Sequence, residues 1–130
     1  MRDAIERDLG HIENMLERLY RIGEYLQTLH ESGFSLNDEM VIDLMAFQLV
    51  QVGEELADGK LSADTRQRFP RVPWREMKKQ RNFVAHSYAR KRNSVLVKIV
   101  EQDVPAYIEE LQGVRRYLLD ELEEGSDDQP

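Results

Sequence analysis

The sequence contains no cysteine, no long apolar run and no recognisable leader at its start. The missing cysteines exclude disulfide bonds, thiolate metal sites and cysteine nucleophiles, and they leave no sign of an oxidising compartment. No apolar run approaches the roughly 20 residues that cross a bilayer. The first ten residues are charged from Arg2 onward, which is not the pattern of a signal peptide. We therefore expect a soluble cytoplasmic protein that makes no use of a membrane.

Length and apolar content indicate a single folded domain. The chain has 130 residues, of which 41% are hydrophobic and 33% are charged. This is enough apolar material for one core and too much for a fully disordered chain. The last residues, 125–130, are polar, and we expect them to form a disordered acidic tail. The predicted domain therefore covers residues 1–124.

This acidic chain carries one strongly basic segment. The net charge is −7, yet residues 66–98 hold eleven basic residues and one acid, for a net charge of +10. The rest of the chain holds 7 basic and 24 acidic residues. Such a segment is typical of a local site for an anion such as RNA. A solvated face that pairs with neighbouring acidic helices explains the charges as well, so charge alone leaves both interpretations open.

Apolar residues recur every three or four positions along most of the chain, which predicts helices. The predicted helices cover residues 2–30, residues 36–58, residues 74 to 88 or 89, and the chain from residue 93 or 94 onward. One helical turn is predicted near residues 62–68. Gly33 and Gly59 are expected to end the first two helices, and Pro105 is expected to kink or divide the last one. With no strand pattern, repeat or linker, the predicted fold class is all-α, a four- to five-helix antiparallel bundle.

The second predicted helix differs from the others because apolar residues cover most of its circumference. Ser35 is expected to cap its N-terminus, and its apolar residues include Met40, Leu44 and Phe47. A helix with this pattern lies in the centre of a bundle or is shared between the core and a subunit interface.

The segment most suggestive of chemistry is residues 81–88, Arg-Asn-Phe-Val-Ala-His-Ser-Tyr, inside the basic segment. On a helix, Lys78, Asn82 and His86 share one face. Arg81 and His86 are five positions apart, which is about 140° around the helix axis. To meet at one phosphate they need the full reach of the arginine, an unwound helix end, or a second copy of the motif across a two-fold axis.

These residue types suit phosphodiester cleavage without a metal ion. His86 can accept a proton from a ribose 2′-hydroxyl or donate one to the leaving 5′-oxygen. Arg81 can hold the non-bridging oxygens as negative charge develops, and Asn82 can orient the imidazole or bind phosphate. Tyr88 can stack on a base or donate its hydroxyl. The substrate is then RNA, because DNA lacks the internal nucleophile.

Structural roles for the same residues remain open. His86 is also compatible with a helix-capping role, and Arg81 with a structural ion pair to Glu54. No metal site is predicted, because the three histidines lack ligand spacing and no cysteine is present.

Four segments together resemble the HepT-like family of the HEPN superfamily (higher eukaryote and prokaryote nucleotide-binding domains). Residues 81–88 match the family's Arg-Asn-x-x-x-His-x-Tyr motif, residues 52–55 its Ile-Gly-Glu segment, residues 72–77 its Pro-Trp lead into the motif helix, and residues 103–105 its Asp-Leu-Pro. The resemblance implies a helical bundle that forms a two-fold symmetric homodimer. It also implies a ribonuclease that acts as the toxin of a toxin–antitoxin pair. We expect no cofactor.

The resemblance also implies roles for particular residues. Arg81 and His86 become the ribonuclease residues, with Asn82 in support. In the family, a minimal nucleotidyltransferase antitoxin called MntA adds AMP groups to the motif tyrosine, which makes Tyr88 the expected AMPylation acceptor. Residues 89–93 are mostly basic, where the family usually has an acidic lead into the next helix. The candidate RNA-binding residues are Arg75, Lys78, Lys79 and Arg90.

Two neighbouring residues of the second helix are expected to shape the site. Gly53 would allow the motif helix to approach closely, and Glu54 is expected to pair with Arg81 and hold its guanidinium. An ordinary surface position for Glu54 is about as compatible with the sequence. Two further functions also remain open: a catalytically silent HEPN partner that binds nucleotide or positions substrate for a nucleotidyltransferase, and a purely structural helical dimer.

Overall fold

The computed structural model describes residues 2–33, 39–89 and 93–127, with the backbone alone for residues 87–89, 93, 126 and 127. Within these ranges most residues are helical and none lies in a strand. The helices are α1 (Arg2–Ser32), α2 (Glu39–Glu54), α3 (Ala63–Arg68), α4 (Trp74–Ala89), α5 (Asn93–Lys98) and α6 (Val104–Asp127), and a π-helical segment (Ile99–Asp103) joins the last two. The all-α prediction is confirmed.

The long helices pack side by side around one core. Arg18 Nη1 on α1 donates to Gln48 Oε1 on α2 at 3.2 Å, and His11 Nδ1, earlier on α1, lies 2.7 Å from Glu55 Oε2 just past the end of α2. These pairings make α1 and α2 antiparallel. On its other side α1 packs along α6, while α2 also packs along α4. The fully buried side chains that fill the core are Ile12, Met15, Leu19, Ile22, Ile42, Met45, Leu49, Met77, Val84, Val100, Leu111 and Val114.

The helix α2 is shorter than predicted, because it ends at Glu54 instead of residue 58. After this residue the chain tightens into turns in which successive amides donate three residues back. The turns bury both Leu56 and Leu61, so the apolar period continues although the helix does not. Gly59 follows with a φ of +85°, and Gly33 after α1 has a φ of +75°. Both glycines thus supply the left-handed conformation at which a helix or turn ends.

The short helix α3 is tied to α1 by a buried carboxylate. Asp8 of α1 accepts hydrogen bonds from the backbone N–H of Ser62 at 2.9 Å, from the hydroxyl of the same residue, and from the hydroxyl of Thr65 at 2.6 Å. Ser62 in turn caps α3. The indole N–H of Trp74 donates to two carbonyls in and just after α3, at 3.1 and 3.0 Å. These contacts fix the point at which α4 begins.

The last predicted helix is divided just before Pro105, as expected. The N–H of Val104 donates five residues back to the carbonyl of Ile99. Since proline has no N–H to continue an α-helical ladder, the wider π turn takes up the interruption. The helix α6 then continues to Asp127. Residues 125–127 are therefore helical where we predicted a disordered tail. The predicted cap, Ser35, and residues 128–130 lie outside the described residues.

None of the described helices is both long enough and apolar enough to span a membrane.

Candidate active site

The motif helix α4 packs so closely against α2 that only glycine fits at the contact. A Cβ atom on Gly53 would lie 2.8 Å from the Cβ of Arg81 and 3.4 Å from the carbonyl oxygen of Met77. Real Cβ atoms are essentially never found at the first of these distances. The close approach that the sequence predicted at this glycine is therefore present, and it places the backbone of α2 beside the base of the arginine side chain.

Glu54 orients the guanidinium of Arg81. Nη1 of the arginine donates to Oε1 of the glutamate at 3.1 Å, and the two side chains are 35% and 41% exposed. The predicted ion pair is thus present. Because solvent reaches both groups, its contribution is on the order of 1 kcal/mol or less. The pair sets the direction of the guanidinium and leaves its other N–H groups able to bind an anion.

His86 and Asn82 lie on the solvent-exposed face of α4. Arg75 and Lys79 are also exposed and continue the same face at helical spacing. The regular helix keeps His86 about 140° from Arg81. One chain therefore presents its arginine towards α2 and its imidazole outwards, as the spacing predicted. The exposure of the imidazole excludes a role confined to core packing.

The structure distinguishes between the candidate RNA-binding lysines. Nζ of Lys78 donates to Oδ1 of Asp58 at 2.8 Å, and this hydrogen bond, together with the lysine charge, lowers the pKa of the Asp58 carboxyl. Neither Lys79 nor Arg75 has an ion-pair partner among the described residues. Unlike Lys78, these two residues therefore carry charges that no described carboxylate pairs with.

Two predicted site residues are beyond what the structure describes. The backbone of Tyr88 belongs to α4, but its side chain is outside the description, and Arg90 lies wholly outside the described residues together with residues 91 and 92. Their roles stay predictions. In the described part of the chain, no three histidine, aspartate or glutamate side chains come together in a way that would hold a metal ion.

An exposed apolar surface lies beside this site on α2. We call Met40, Leu44 and Phe47, which are 71%, 42% and 53% exposed, the α2 patch. Phe47 also lines a shallow apolar depression between α2 and α4, together with Ala85. The sequence indicated that α2 is apolar on most sides, and the fold shows which side stays uncovered. One further exposed residue, Phe83 on α4, was not predicted as part of the site. Its only signal in the sequence was a large apolar side chain inside a polar motif.

Comparison with known proteins gives the same family as the four sequence segments. The model of the family described as "Ribonuclease HepT-like" matches residues 15–114. A protein of Methanocaldococcus jannaschii that carries the name "Putative RNase MJ1380" is 31% identical over 108 residues, which are 82% of this chain and 96% of that protein. No solved structure matched the chain. The matched region includes α2, α4 and the contact between them.

Proposed function

Since the chain belongs to the HepT-like family of ribonucleases, we propose that it is a metal-independent endoribonuclease and the toxin of a toxin–antitoxin pair. One observation carries this proposal: α4 exposes His86 to solvent and presents Arg81 in an orientation held by Glu54. Internal attack by a ribose hydroxyl needs a base for one proton and a cation for the charge on phosphorus. These two side chains supply both, and no metal ion is required.

In the proposed reaction, the imidazole of His86 accepts the proton of the 2′-hydroxyl, and the 2′-oxygen attacks the adjacent phosphorus. The bond from phosphorus to the 5′-oxygen breaks, and the leaving oxygen takes up a proton. The products end in a 2′,3′-cyclic phosphate and a 5′-hydroxyl. Arg81 donates hydrogen bonds to the non-bridging oxygens, on which negative charge increases. Asn82 binds the same phosphate or orients the imidazole.

A homodimer is part of the proposal because one chain separates its two catalytic side chains. His86 and Arg81 point in directions about 140° apart on α4. The α2 patch lies next to the arginine side of α4 and is apolar and exposed, which is typical of an interaction surface. Two chains that meet through this patch around a two-fold axis bring two copies of the motif towards one cleft. An imidazole from each copy then serves as base and as acid.

The antitoxin of this proposal is an MntA-like nucleotidyltransferase that transfers AMP to the hydroxyl of Tyr88. The position of Tyr88 is seven residues after Arg81, which is close to two full helical turns, so both positions are on one side of α4. An added AMP group brings a phosphate and a base to the side on which the arginine must meet RNA. It therefore blocks the substrate by charge and by volume.

The experiment that tests this function is cleavage of total cellular RNA by the purified protein, with and without a chelator. Cleavage is expected to persist in chelator and to fall by about 10²- to 10⁴-fold in His86→Ala. The rate of cleavage is expected to fall by a comparable factor in Arg81→Ala. The matched control is His30→Ala, which removes an exposed histidine at the end of α1 and leaves cleavage unchanged. Full activity of His86→Ala would contradict the proposal, and binding of RNA without cleavage would instead support the catalytically silent HEPN partner.

A separate experiment tests the proposed modification of Tyr88 by an antitoxin. Incubation with a cognate nucleotidyltransferase and labelled ATP is expected to label the wild-type protein and to leave Tyr88→Phe unlabelled. Tyr88→Phe is also expected to retain more nuclease activity than His86→Ala. Equal labelling of both proteins would show that the acceptor is a different residue.

A further inference from the structure

Phe83 is a large apolar side chain on the exposed face of the motif helix, with 48% of its surface accessible. It lies three residues before His86 and four residues after Lys79, so both side chains are its neighbours on the helix surface. On its other side lie Gln80, which donates to a tyrosine hydroxyl of α6 at 2.7 Å, and the exposed Glu76 two turns back. The neighbours of the aromatic ring on α4 are therefore polar or charged.

This ring is not an extension of the α2 patch. Phe83 is two residues after Arg81 and so lies about 160° from it around α4, and Arg81 faces α2. Phe47 of the α2 patch lies under the guanidinium of Arg18, 5.7 Å from the ring centroid, and borders the apolar depression between α2 and α4. Phe83 instead has the imidazole of the motif and the ammonium group of Lys79 as neighbours on its own helix. The two exposed apolar surfaces therefore call for different occupants.

We propose that Phe83 stacks on a base of single-stranded RNA next to the linkage that is cut, and so positions the substrate against His86. This inference rests on the proposed ribonuclease function. An exposed aromatic ring beside cations is how proteins hold an unpaired strand, with the base on the ring and the phosphates on the cations. Lys79 lies on one side of the ring and the catalytic imidazole on the other. A paired base has no free face for the ring, so the substrate class is unpaired RNA such as a loop or a single strand.

Binding to a fully 2′-O-methylated oligonucleotide of about ten nucleotides tests the stacking apart from cleavage, because this probe has no nucleophilic hydroxyl. Phe83→Ala and Phe83→Leu are each expected to raise the Kd by about 5-fold or more, while Phe83→Tyr, which keeps a ring, stays within about 2-fold of wild type. The matched control is Tyr20→Ala, which removes a 41% exposed aromatic ring from α1 and leaves the Kd unchanged. Wild-type binding by Phe83→Leu would show that apolar area alone suffices, and would overturn stacking.

The cleavage assay then separates this inference from the function on which it rests. In Phe83→Ala, KM for single-stranded RNA is expected to rise about as much as the Kd while kcat changes less. If the wild-type protein cuts RNA and Phe83→Ala has the wild-type KM, stacking is refuted and the ribonuclease stands. If the wild-type protein cuts no RNA but binds the probe through Phe83, the ribonuclease is refuted and stacking stands. Sedimentation provides the remaining check, since loss of a dimer in Phe83→Ala would assign the ring to a subunit contact.

Discussion

Replacement of Gly53 by alanine tests the contact that places Arg81 beside α2. The added Cβ would lie 2.8 Å from the Cβ of Arg81, and neither atom is at the flexible end of a side chain. The two helices must therefore move apart at this point. We expect the substitution to reduce both the stability of the fold and the activity of the site.

The magnitude follows from two opposing terms. Overpacking in a tight contact costs about 1–3 kcal/mol, while alanine in place of glycine inside a helix gains about 0.5–1 kcal/mol. For Gly53→Ala the central values of these terms give a net loss of about 1 kcal/mol in the free energy of unfolding, and their extremes give at most about 2.5 kcal/mol. For a chain of 130 residues, each kcal/mol corresponds to about 4 °C in Tm. We therefore expect Tm to fall by about 4 °C, and by at most about 10 °C.

Thermal unfolding followed by circular dichroism measures this change, and Gly23→Ala provides the control. Gly23 is inside α1, and a Cβ placed there meets nothing within 4 Å. The same substitution is expected to raise Tm there by about 2–4 °C. The nuclease assay completes the test. Displacement of Arg81 is expected to lower kcat by about 10-fold or more in Gly53→Ala, while Gly23→Ala keeps the wild-type rate.

The two variants therefore have opposite expected signs. An equal rise in Tm for both would refute the argument, because it would mean that α2 and α4 do not need the close approach. A fall in Tm of Gly53→Ala with a wild-type kcat would confirm the packing and refute the claim that it positions the arginine.

Three further predictions follow from other contacts. Asp8→Ala removes the buried carboxylate that accepts hydrogen bonds from two hydroxyls and one backbone amide of the α3 region. Urea titration is expected to show a loss of about 3 kcal/mol in the free energy of unfolding. A loss below about 1 kcal/mol would show that these hydrogen bonds do not stabilise the fold as argued. Burial, with nearby negative charge, raises the pKa of Tyr107 to about 12, whereas an unfolded tyrosine titrates near 10. The contribution of this phenol is therefore complete below pH 10 and is lost as the pH rises towards 12, so Tyr107→Phe should lose less stability than wild type over that interval. Lys79→Ala should reduce the slope of log Kd for RNA against log salt by about 0.7, which is the value for one phosphate contact on a single strand. Lys78→Ala should reduce this slope less, because Lys78 already pairs with a carboxylate. Equal reductions in the two variants would contradict the different roles of the two lysines.

The long helices of this fold were largely predictable because each one carries apolar residues at helical spacing that must be buried. The apolar stripe of α1 and the interruption at Pro105 both indicated structure through local chemistry. The end of α2 was not predictable in the same way. The apolar period continues through Leu56, yet the chain turns after Glu54 and buries Leu56 together with Leu61.

In the candidate site, too, the features that depend on local sequence were predictable, and those that depend on residues far apart in the chain were not. The 140° between Arg81 and His86 follows from helix geometry alone, as does the face that His86 shares with Asn82. The burial of each side chain on α4 depends on which other helices pack against α4. This packing is a property of the whole bundle and is not encoded in α4 alone. Asp8 is a clearer example, because its partners Ser62 and Thr65 lie 54 and 57 residues away along the chain. A single polar residue at an apolar position of α1 was the only local sign of that network.

The junction between α3 and α4 can be followed by intrinsic tryptophan fluorescence. Trp74 is the only tryptophan in the chain, and its indole N–H is engaged by two carbonyls at the start of the motif helix. Intrinsic tryptophan fluorescence therefore reports on one place in the molecule, the junction at which the motif helix α4 begins. If the fluorescence changes at a lower temperature than the helical ellipticity, the start of α4 unfolds locally while the rest of the bundle is still folded.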